Sequence, residues 1–100
     1  MARRYVITTP ANQDLEEILR GIADRSSFDN ADRFLKQFND KLKNIVAFPN
    51  LGKSQREWGE NYRSLILNNY LIVYRVTDEL VEVLRVVSGY RDLDTLFEDN

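Results

Sequence analysis

The order of apolar and polar positions divides this chain into two parts with different periods. In the last third, runs rich in Val, Ile, Leu and Tyr occupy residues 62–67, 70–76 and 80–88, with short polar clusters between them. Such runs, bounded by turn-forming residues, are typical of consecutive antiparallel strands. The middle run is apolar on both alternating faces, as in a strand at the centre of a sheet. We therefore predict a three-stranded meander, with Asn68 and Asn69 as its first turn because asparagine tolerates a positive φ.

Before the meander, apolar residues recur at helical spacing in two stretches. They are Ala11, Leu15, Ile18, Leu19 and Ile22, and then Ala31, Phe34, Leu35, Phe38, Leu42, Ile45 and Val46. This spacing puts each set on one face of a helix. We predict Thr9 as the N-cap of the first helix with Pro10 at its first position, and Ser26 or Ser27 as the cap of the second. The short polar gap between the helices predicts an antiparallel hairpin that lays its apolar stripe on the sheet.

Shorter segments complete the predicted architecture. Residues 3–8 suit a first strand that pairs with an edge of the meander, and Pro49 and Gly52 end the second helix. Residues 53–61 are polar except for Trp58, which is either a lid against the sheet edge or a contact for a partner protein. Leu93, Leu96 and Phe97 predict a short C-terminal helix. The expected fold class is α+β: an N-terminal strand, a helix hairpin packed on a C-terminal three-stranded antiparallel meander, and that last helix.

Composition narrows the chemistry. The chain has 100 residues, which predicts one domain over residues 1–100. It contains no cysteine and no histidine, so disulfides, thiolate catalysis, histidine bases and nearly all zinc chemistry are excluded, and we expect no cofactor. A formal charge of -2 indicates no strong attraction to nucleic acid, so we expect no direct sequence-specific binding to it. No apolar stretch approaches the roughly 20 residues of a membrane span, so we expect a cytoplasmic protein without a membrane partner.

Five stretches, in this order, resemble the ParE branch of the RelE/ParE superfamily of bacterial toxin-antitoxin modules. They are Ala11-Asn12-Gln13-Asp14-Leu15-Glu16-Glu17-Ile18, Phe48-Pro49-Asn50-Leu51-Gly52, Tyr62-Arg63-Ser64-Leu65, Tyr70-Leu71-Ile72-Val73-Tyr74-Arg75-Val76 and Gly89-Tyr90-Arg91-Asp92-Leu93. Together they span nearly the whole chain. One departure is Ser88, where many ParE-like sequences carry His before the Gly.

The resemblance implies one fold with two activities, since ParE-like members poison DNA gyrase and RelE-like members cut mRNA on the ribosome. RelE-like cleavage relies on an Arg in the middle strand, an Arg after the last strand and a C-terminal Tyr, and this chain has Leu71, Arg91 and Phe97 there. Leu and Phe can neither transfer a proton nor hold the charge of a phosphorane, which favours the ParE-like activity. The likeness thus implies a non-enzymatic toxin of a type II system that poisons gyrase.

The same likeness implies a cognate, ParD-like antitoxin as partner, in a toxin-antitoxin hetero-oligomer. Two alternatives stay open: a RelE-like ribosome-dependent mRNA endonuclease, and a non-toxic remnant that only binds antitoxin. For the endonuclease, a replacement catalytic set would be Arg63, Arg75, Arg85 and Tyr90. The competing interpretation is that Arg75 and Arg85 form structural ion pairs with Glu82, Asp78 or helix carboxylates.

Two sets of contact residues follow as hypotheses. The gyrase contacts are Arg91, Tyr90, Trp58 and Arg63, which we expect at one end of the sheet or in the loop beside it. The antitoxin contacts are Leu15, Leu19, Phe34 and Phe38, if the helix stripes are wider than the sheet can cover. If the stripes are no wider, these four residues are ordinary core.

Overall fold

The computed structural model describes residues 4–88, and the predicted C-terminal helix at 93–97 lies outside them. In chain order the elements are β1 (Arg4–Ile7), α1 (Thr9–Arg25), α2 (Phe28–Ala47), a 3-10 turn (Pro49–Leu51), β2 (Lys53–Ser54), a second 3-10 turn (Arg56–Trp58), β3 (Tyr62–Leu67), β4 (Tyr70–Val76) and β5 (Leu80–Ser88). The predicted strand, helix hairpin and meander are therefore confirmed.

The strands form one sheet in the order β1-β5-β4-β3-β2. Strands β3, β4 and β5 are the predicted antiparallel meander, and β1 joins its edge by pairing in parallel with β5. The two-residue strand β2 pairs with the start of β3 and was not predicted, because its segment has no alternating apolar pattern. Asn68 has a φ of 56° in the turn between β3 and β4, as its position in a two-residue hairpin requires.

A β-bulge in β5 keeps its apolar side chains on one face. Val73 is opposite Arg85 whereas Tyr74 is opposite Val83, so Leu84 is one extra residue on β5. Because strand side chains alternate, the extra residue restores the core-facing parity for Val86 beyond it. Val83 and Val86 consequently lie in the same core cluster although three positions separate them.

Both helices cover the same face of the sheet. The buried residues of the resulting core are Ala11, Leu15, Phe34, Phe38, Leu42, Ile45, Leu67, Ile72, Tyr74, Val81, Val83 and Val86. Phe34 also meets the ring of Tyr70 edge-on, with ring centroids 5.3 Å apart. The predicted apolar stripes are thus the surfaces that pack, with Ile18, Leu19 and Ile22 partly buried against the cluster.

The first helix begins one residue earlier than predicted. Its N-cap is Thr8, whose hydroxyl accepts a hydrogen bond from the Ala11 N–H at 3.3 Å, and Thr9 lies within the helix. The Thr8 hydroxyl also donates to the carbonyls of Val83 and Leu84 on β5. The sequence alone could not show which of the two adjacent threonines is the N-cap, because the hydrogen bonds of Thr8 to β5 determine it. At the second helix, Ser27 is the cap, accepting from the Asn30 N–H.

Candidate functional site

Of the predicted gyrase contacts, the structure describes Trp58 and Arg63, which lie where β3 begins. Arg63, near the start of β3, lies opposite Tyr74 of β4, which in turn lies opposite Val83 of β5. From Val83, β5 continues for five more residues to Ser88, and Tyr90 and Arg91 follow in the sequence. At roughly 3.3 Å per residue, Ser88 is about 17 Å further along the sheet. Arg63 and Ser88 lie at opposite ends of the sheet, because two successive hairpins make β3 and β5 run in the same direction. The expectation that all four residues lie at one end stays a prediction. Tyr90 and Arg91 themselves lie outside the described residues.

Trp58 lies in the 3-10 turn beside β3 and is half-buried. Its backbone N–H donates to the carbonyl of Gln55, and the Gln55 side chain donates to the hydroxyl of Ser64 on β3. These bonds hold the segment against the edge of the sheet. Trp58 therefore sits where a lid residue is expected, with part of its surface still exposed.

Arg63 holds the loop that follows α2. Its guanidinium donates to the carbonyl of Gly52 at 2.7 Å and to that of Asn50 at 3.4 Å. Both acceptors are neutral backbone groups, so the positive charge of Arg63 is not cancelled by a carboxylate among residues 4–88. This side chain is thus both a structural tie and a local source of positive potential.

Tyr74 fixes the same loop from the core side. Its hydroxyl donates to the Pro49 carbonyl and accepts from the Gly52 N–H, both at 2.8 Å. Burial raises the pKa of Tyr74 above its ordinary value, while the Gly52 N–H and the charge of Arg63 pull that pKa downward. The Phe-Pro-Asn-Leu-Gly stretch is therefore docked by a buried phenol, a role that the sequence pattern did not reveal because Tyr74 has the spacing of a plain core residue.

The two remaining strand arginines are held in ion pairs. Arg75 pairs with Glu82 on the neighbouring strand at 2.6 Å. Arg85 donates two hydrogen bonds to Asp14 of α1, at 2.8 and 3.0 Å, and Asp14 also accepts from the Val86 N–H. The hydrogen bonds that the two arginines donate to these carboxylates raise the pKa of both arginines. The structural ion-pair interpretation is therefore confirmed for both, and Asp14 is the helix carboxylate involved.

The position of the middle-strand arginine in RelE-like enzymes carries no polar group here. Leu71 is 4% exposed and Val73 beside it on the same face is fully buried. Within residues 4–88 there is also no cluster of three or more acidic side chains that could hold a metal ion. Neither helix in that range has the length and apolar character that a membrane crossing requires.

The residues suggested as antitoxin contacts belong largely to the core. Leu15, Phe34 and Phe38 are at most 6% exposed, and Leu19 is half-buried against them. These side chains have the burial of ordinary core residues, whereas Leu35 of the same predicted stripe is exposed. The antitoxin contacts stay a prediction. Large apolar side chains that are exposed lie elsewhere: Tyr5, Val6, Phe28, Leu35, Phe48, Leu51 and Ile66.

Two open cavities flank the sheet at its opposite ends. One, of about 380 Å³, is lined by Asp14, Glu17, Ile18, Arg25, Tyr70, Val86, Val87 and Ser88, where β5 ends. The other, of about 370 Å³, is lined by Ser54, Arg56, Glu60, Asn61 and Arg63, next to the loop held by Tyr74. The second cavity contains two arginines against one glutamate, so it favours an anionic group.

Comparison with known proteins agrees with this architecture. Residues 5–93 match the family described as "ParE toxin of type II toxin-antitoxin system, parDE". Toxin ParE1 of Mycobacterium tuberculosis is 32% identical over 95 residues, which cover 94% of this chain and 97% of that protein. The chromosomal ParDE system of P. aeruginosa has the same fold, with a TM-score of 0.75 at 18% identity over 89% of this chain and 98% of that one.

A RelE-type relative shares the fold less closely. The RelBE2 toxin-antitoxin complex of Mycobacterium tuberculosis superposes with a TM-score of 0.56 at 25% identity, covering 88% of this chain and 99% of that one. The family match spans most of the sequence, and the curated relative is similar over nearly its full length. This chain therefore belongs to the ParE toxin family of type II toxin-antitoxin systems.

Proposed function

We propose that this toxin arrests growth by poisoning DNA gyrase in the cytoplasm, trapping the cleaved-DNA intermediate without catalysing a reaction itself. We further propose that a cognate, ParD-like antitoxin neutralises it by forming a hetero-oligomer. The support for a partner is the nature of the family and the fold shared with toxins of ParDE and RelBE2 systems. The support for gyrase rather than the ribosome as the target comes from the ion pairs that the strand arginines form.

The state of the strand arginines is the observation that carries this choice. Cleavage at a ribose 2′-OH needs cationic groups aimed at the phosphorane and a group that moves a proton. Arg75 and Arg85 are each occupied by a carboxylate, and Arg63 by two carbonyls of its own loop. Freeing an arginine from a partly buried carboxylate would leave that carboxylate unpaired, which is unfavourable. Arg75 and Arg85, two members of the replacement catalytic set, are thus committed to ion pairs and are not aimed at a substrate phosphate.

Arg91 and Tyr90 are the residues that we propose as gyrase contacts. They match the family pattern after the last strand, and β5 leads toward them at the end of the sheet where Ser88 lines an open cavity. Ser88 lies at the opposite end of the sheet from Arg63 and the adjoining Trp58 turn, so we leave Trp58 and Arg63 out of the proposed contact. The competing role of Arg91, a bond to Asp92 or Asp94, makes a direct test necessary.

The test is a gyrase supercoiling and DNA-cleavage assay with the purified chain. Wild type is expected to inhibit supercoiling and to accumulate linear DNA, and Arg91→Ala is expected to lose most of both effects. Arg33→Ala is the matched control, since Arg33 is an exposed arginine on α2 and its removal should change neither. Circular dichroism of each variant confirms that it is folded.

Other outcomes would overturn this proposal. If folded wild type leaves gyrase unaffected at micromolar concentration, the gyrase assignment fails. Toxin-dependent mRNA fragments cut at ribosomal A sites would then identify a ribosome-dependent endonuclease. No growth defect on overexpression, together with a retained antitoxin complex, would identify a remnant that only binds its partner.

A further inference from the structure

The loop of residues 48–52 is held by several hydrogen bonds, although all of its residues except Gly52 reach the surface. It is tied by the Tyr74 hydroxyl at Pro49 and Gly52 and by the guanidinium of Arg63, yet no residue of its 3-10 turn is buried. Phe48 is 69% exposed and Leu51 is 49% exposed. Fixing a loop costs conformational entropy, and here the apolar side chains that it carries contribute little to the core. A preorganised loop that presents an aromatic and an aliphatic side chain is instead typical of a protein-binding hot spot.

The surroundings of this loop are positively charged. Residues 41–56 contain Lys41, Lys43, Lys53 and Arg56 and no Asp or Glu. Arg56 and Arg63 line the cavity of about 370 Å³ beside the loop, and the only carboxylate in its lining is that of Glu60. Because Arg63 bonds carbonyl oxygens, its charge still attracts an incoming anion. Apolar contacts and an anion-attracting cavity therefore lie next to each other.

We propose that a segment of the antitoxin binds this surface, which consists of Phe48, Leu51, Arg56 and Arg63 and is called here the loop surface. The segment is acidic and carries apolar side chains: its carboxylates enter the cavity between the two arginines, and its apolar side chains cover Phe48 and Leu51. This inference rests on the proposed function, because it requires an antitoxin, and it replaces the buried helix residues as the place where the antitoxin binds.

Position and chemistry identify the antitoxin rather than another partner. Ser88, which precedes the proposed gyrase contacts in the chain, lies at the opposite end of the sheet from Arg63, so we assign the loop surface to the antitoxin. Nucleic acid would satisfy the arginines but would leave the aliphatic Leu51 exposed, whereas an amphipathic protein segment covers both kinds of group. An antitoxin held in the resting complex also removes exposed apolar side chains from water.

The experiment measures antitoxin affinity for full-length toxin variants by calorimetry, using the antitoxin encoded with this toxin as the probe. Leu51→Ala and Phe48→Ala remove the apolar contacts, and each is expected to weaken binding by roughly tenfold or more. Arg56→Glu reverses the charge at the cavity and should weaken binding at low salt, with the difference shrinking as salt rises. All three side chains are exposed, so folding should be unaffected.

Phe28→Ala is the matched apolar control. Phe28 is 81% exposed and begins the same helix that ends before Phe48, about 30 Å away by the rise of a 20-residue helix. Its removal should leave antitoxin affinity unchanged. Arg33→Glu serves in the same way for charge, since Arg33 is exposed in the first half of α2.

The outcomes separate this inference from the proposed function. Unchanged antitoxin affinity in all three loop-surface variants, with tight binding of wild type, overturns the inference while the gyrase proposal stands. Lost gyrase trapping with unchanged antitoxin affinity assigns the surface to the target and also overturns it. Weakened antitoxin binding with gyrase unaffected by wild type supports the inference and overturns the gyrase proposal. If no antitoxin binds wild type, the inference and the antitoxin part of the proposed function both fail.

Discussion

The Tyr74 hydroxyl is a single polar atom in the core on which the position of the loop surface depends. In Tyr74→Phe, the Pro49 carbonyl and the Gly52 N–H lose their partner, and the free energy of unfolding is expected to fall by about 1–3 kcal/mol. Urea denaturation measures the change. Tyr5→Phe is the control, because Tyr5 is 53% exposed and should change stability by less than about 0.5 kcal/mol. Equal stability of Tyr74→Phe and wild type would show that the two bonds do not hold the loop.

The same hydroxyl makes stability depend on alkaline pH. Burial raises the folded-state pKa of Tyr74 above the ordinary value of 10.0, so the folded chain holds this proton more tightly than the unfolded chain. Its contribution is fully present below about pH 10 and is lost as pH rises toward the folded pKa. We expect the unfolding free energy of wild type to fall between pH 9 and pH 11 by more than that of Tyr74→Phe. Parallel pH curves for the two proteins would contradict this assignment.

Position 52 is a glycine in a place where a Cβ atom has no room. A Cβ at this position would lie 2.6 Å from the Tyr74 hydroxyl and 2.7 Å from the Ser64 carbonyl. Gly52→Ala should therefore lower the unfolding free energy by about 1–3 kcal/mol, the usual range for overpacking, as measured by urea denaturation. Gly21→Ala is the control, since the added Cβ meets only the movable end of Arg25 within helix α1. That change should be neutral or stabilising by up to about 1 kcal/mol.

At the scale of elements, α1 and its N-cap residue form hydrogen bonds to the part of β5 that lies beyond the pairing with β1. The pairing of β5 with β1 ends at Val83. Beyond it, the Thr8 hydroxyl donates a hydrogen bond to the Leu84 carbonyl, and the Asp14 carboxylate accepts one from the Val86 N–H. The helix thus completes the hydrogen bonding of a strand whose parallel neighbour is only four residues long. These bonds extend the hydrogen bonding along this edge of β5 beyond Val83 to Val86.

One ion pair joins a helix to a strand, and the other joins two adjacent strands. Double-mutant cycles can measure the coupling energy of each pair. Asp14 and Arg85 join different elements with side chains 15% and 35% exposed, whereas Arg75 is 41% exposed and lies opposite Glu82 on adjacent strands. We expect alanine cycles to give a coupling energy of about 1–2 kcal/mol for Asp14 with Arg85, allowing for solvent screening, and about 0.5 kcal/mol for Arg75 with Glu82. The reverse order would mean that the tie between helix and strand is not the stronger one.

The elements themselves could be predicted because each depends on a local period. Helical spacing gave both helices, and runs of Val, Ile, Leu and Tyr gave the meander. The bulge at Leu84, the two-residue strand β2 and the tie from Asp14 to Arg85 have no such local signal, since each exists through contacts between distant segments. The exposure of Phe48 and Leu51 could not be predicted either, because it depends on how distant residues hold their loop.

At the scale of the whole molecule, strand direction decides which candidate residues can act together. The sequence pattern predicts which residues adjoin the ends of strands, but it does not show which strand ends meet at the same end of the sheet. Two hairpins reverse the chain twice, so β3 begins at one end of the sheet and β5 finishes at the other. The loop surface and the last residue of β5 are therefore separated along the sheet, which leaves room for the proposed antitoxin and the proposed target to bind at different ends.

Thr8 connects the start of α1 with β5, and its substitution tests how far that connection stabilises the whole fold. Its hydroxyl caps α1 at Ala11 and reaches carbonyls on β5 that are 75 and 76 positions away in sequence. Thr8→Ala should lower the unfolding free energy by about 2 kcal/mol, the upper range for loss of an N-cap, because bonds to another element are lost with the cap. Thr8→Ser should retain most of the stability, and Thr9→Ala, at the cap that the sequence suggested, should cost under about 0.5 kcal/mol. Thermal or urea unfolding of the three variants distinguishes the two threonines, and a larger loss at Thr9 than at Thr8 would contradict the placement of the cap beside β5.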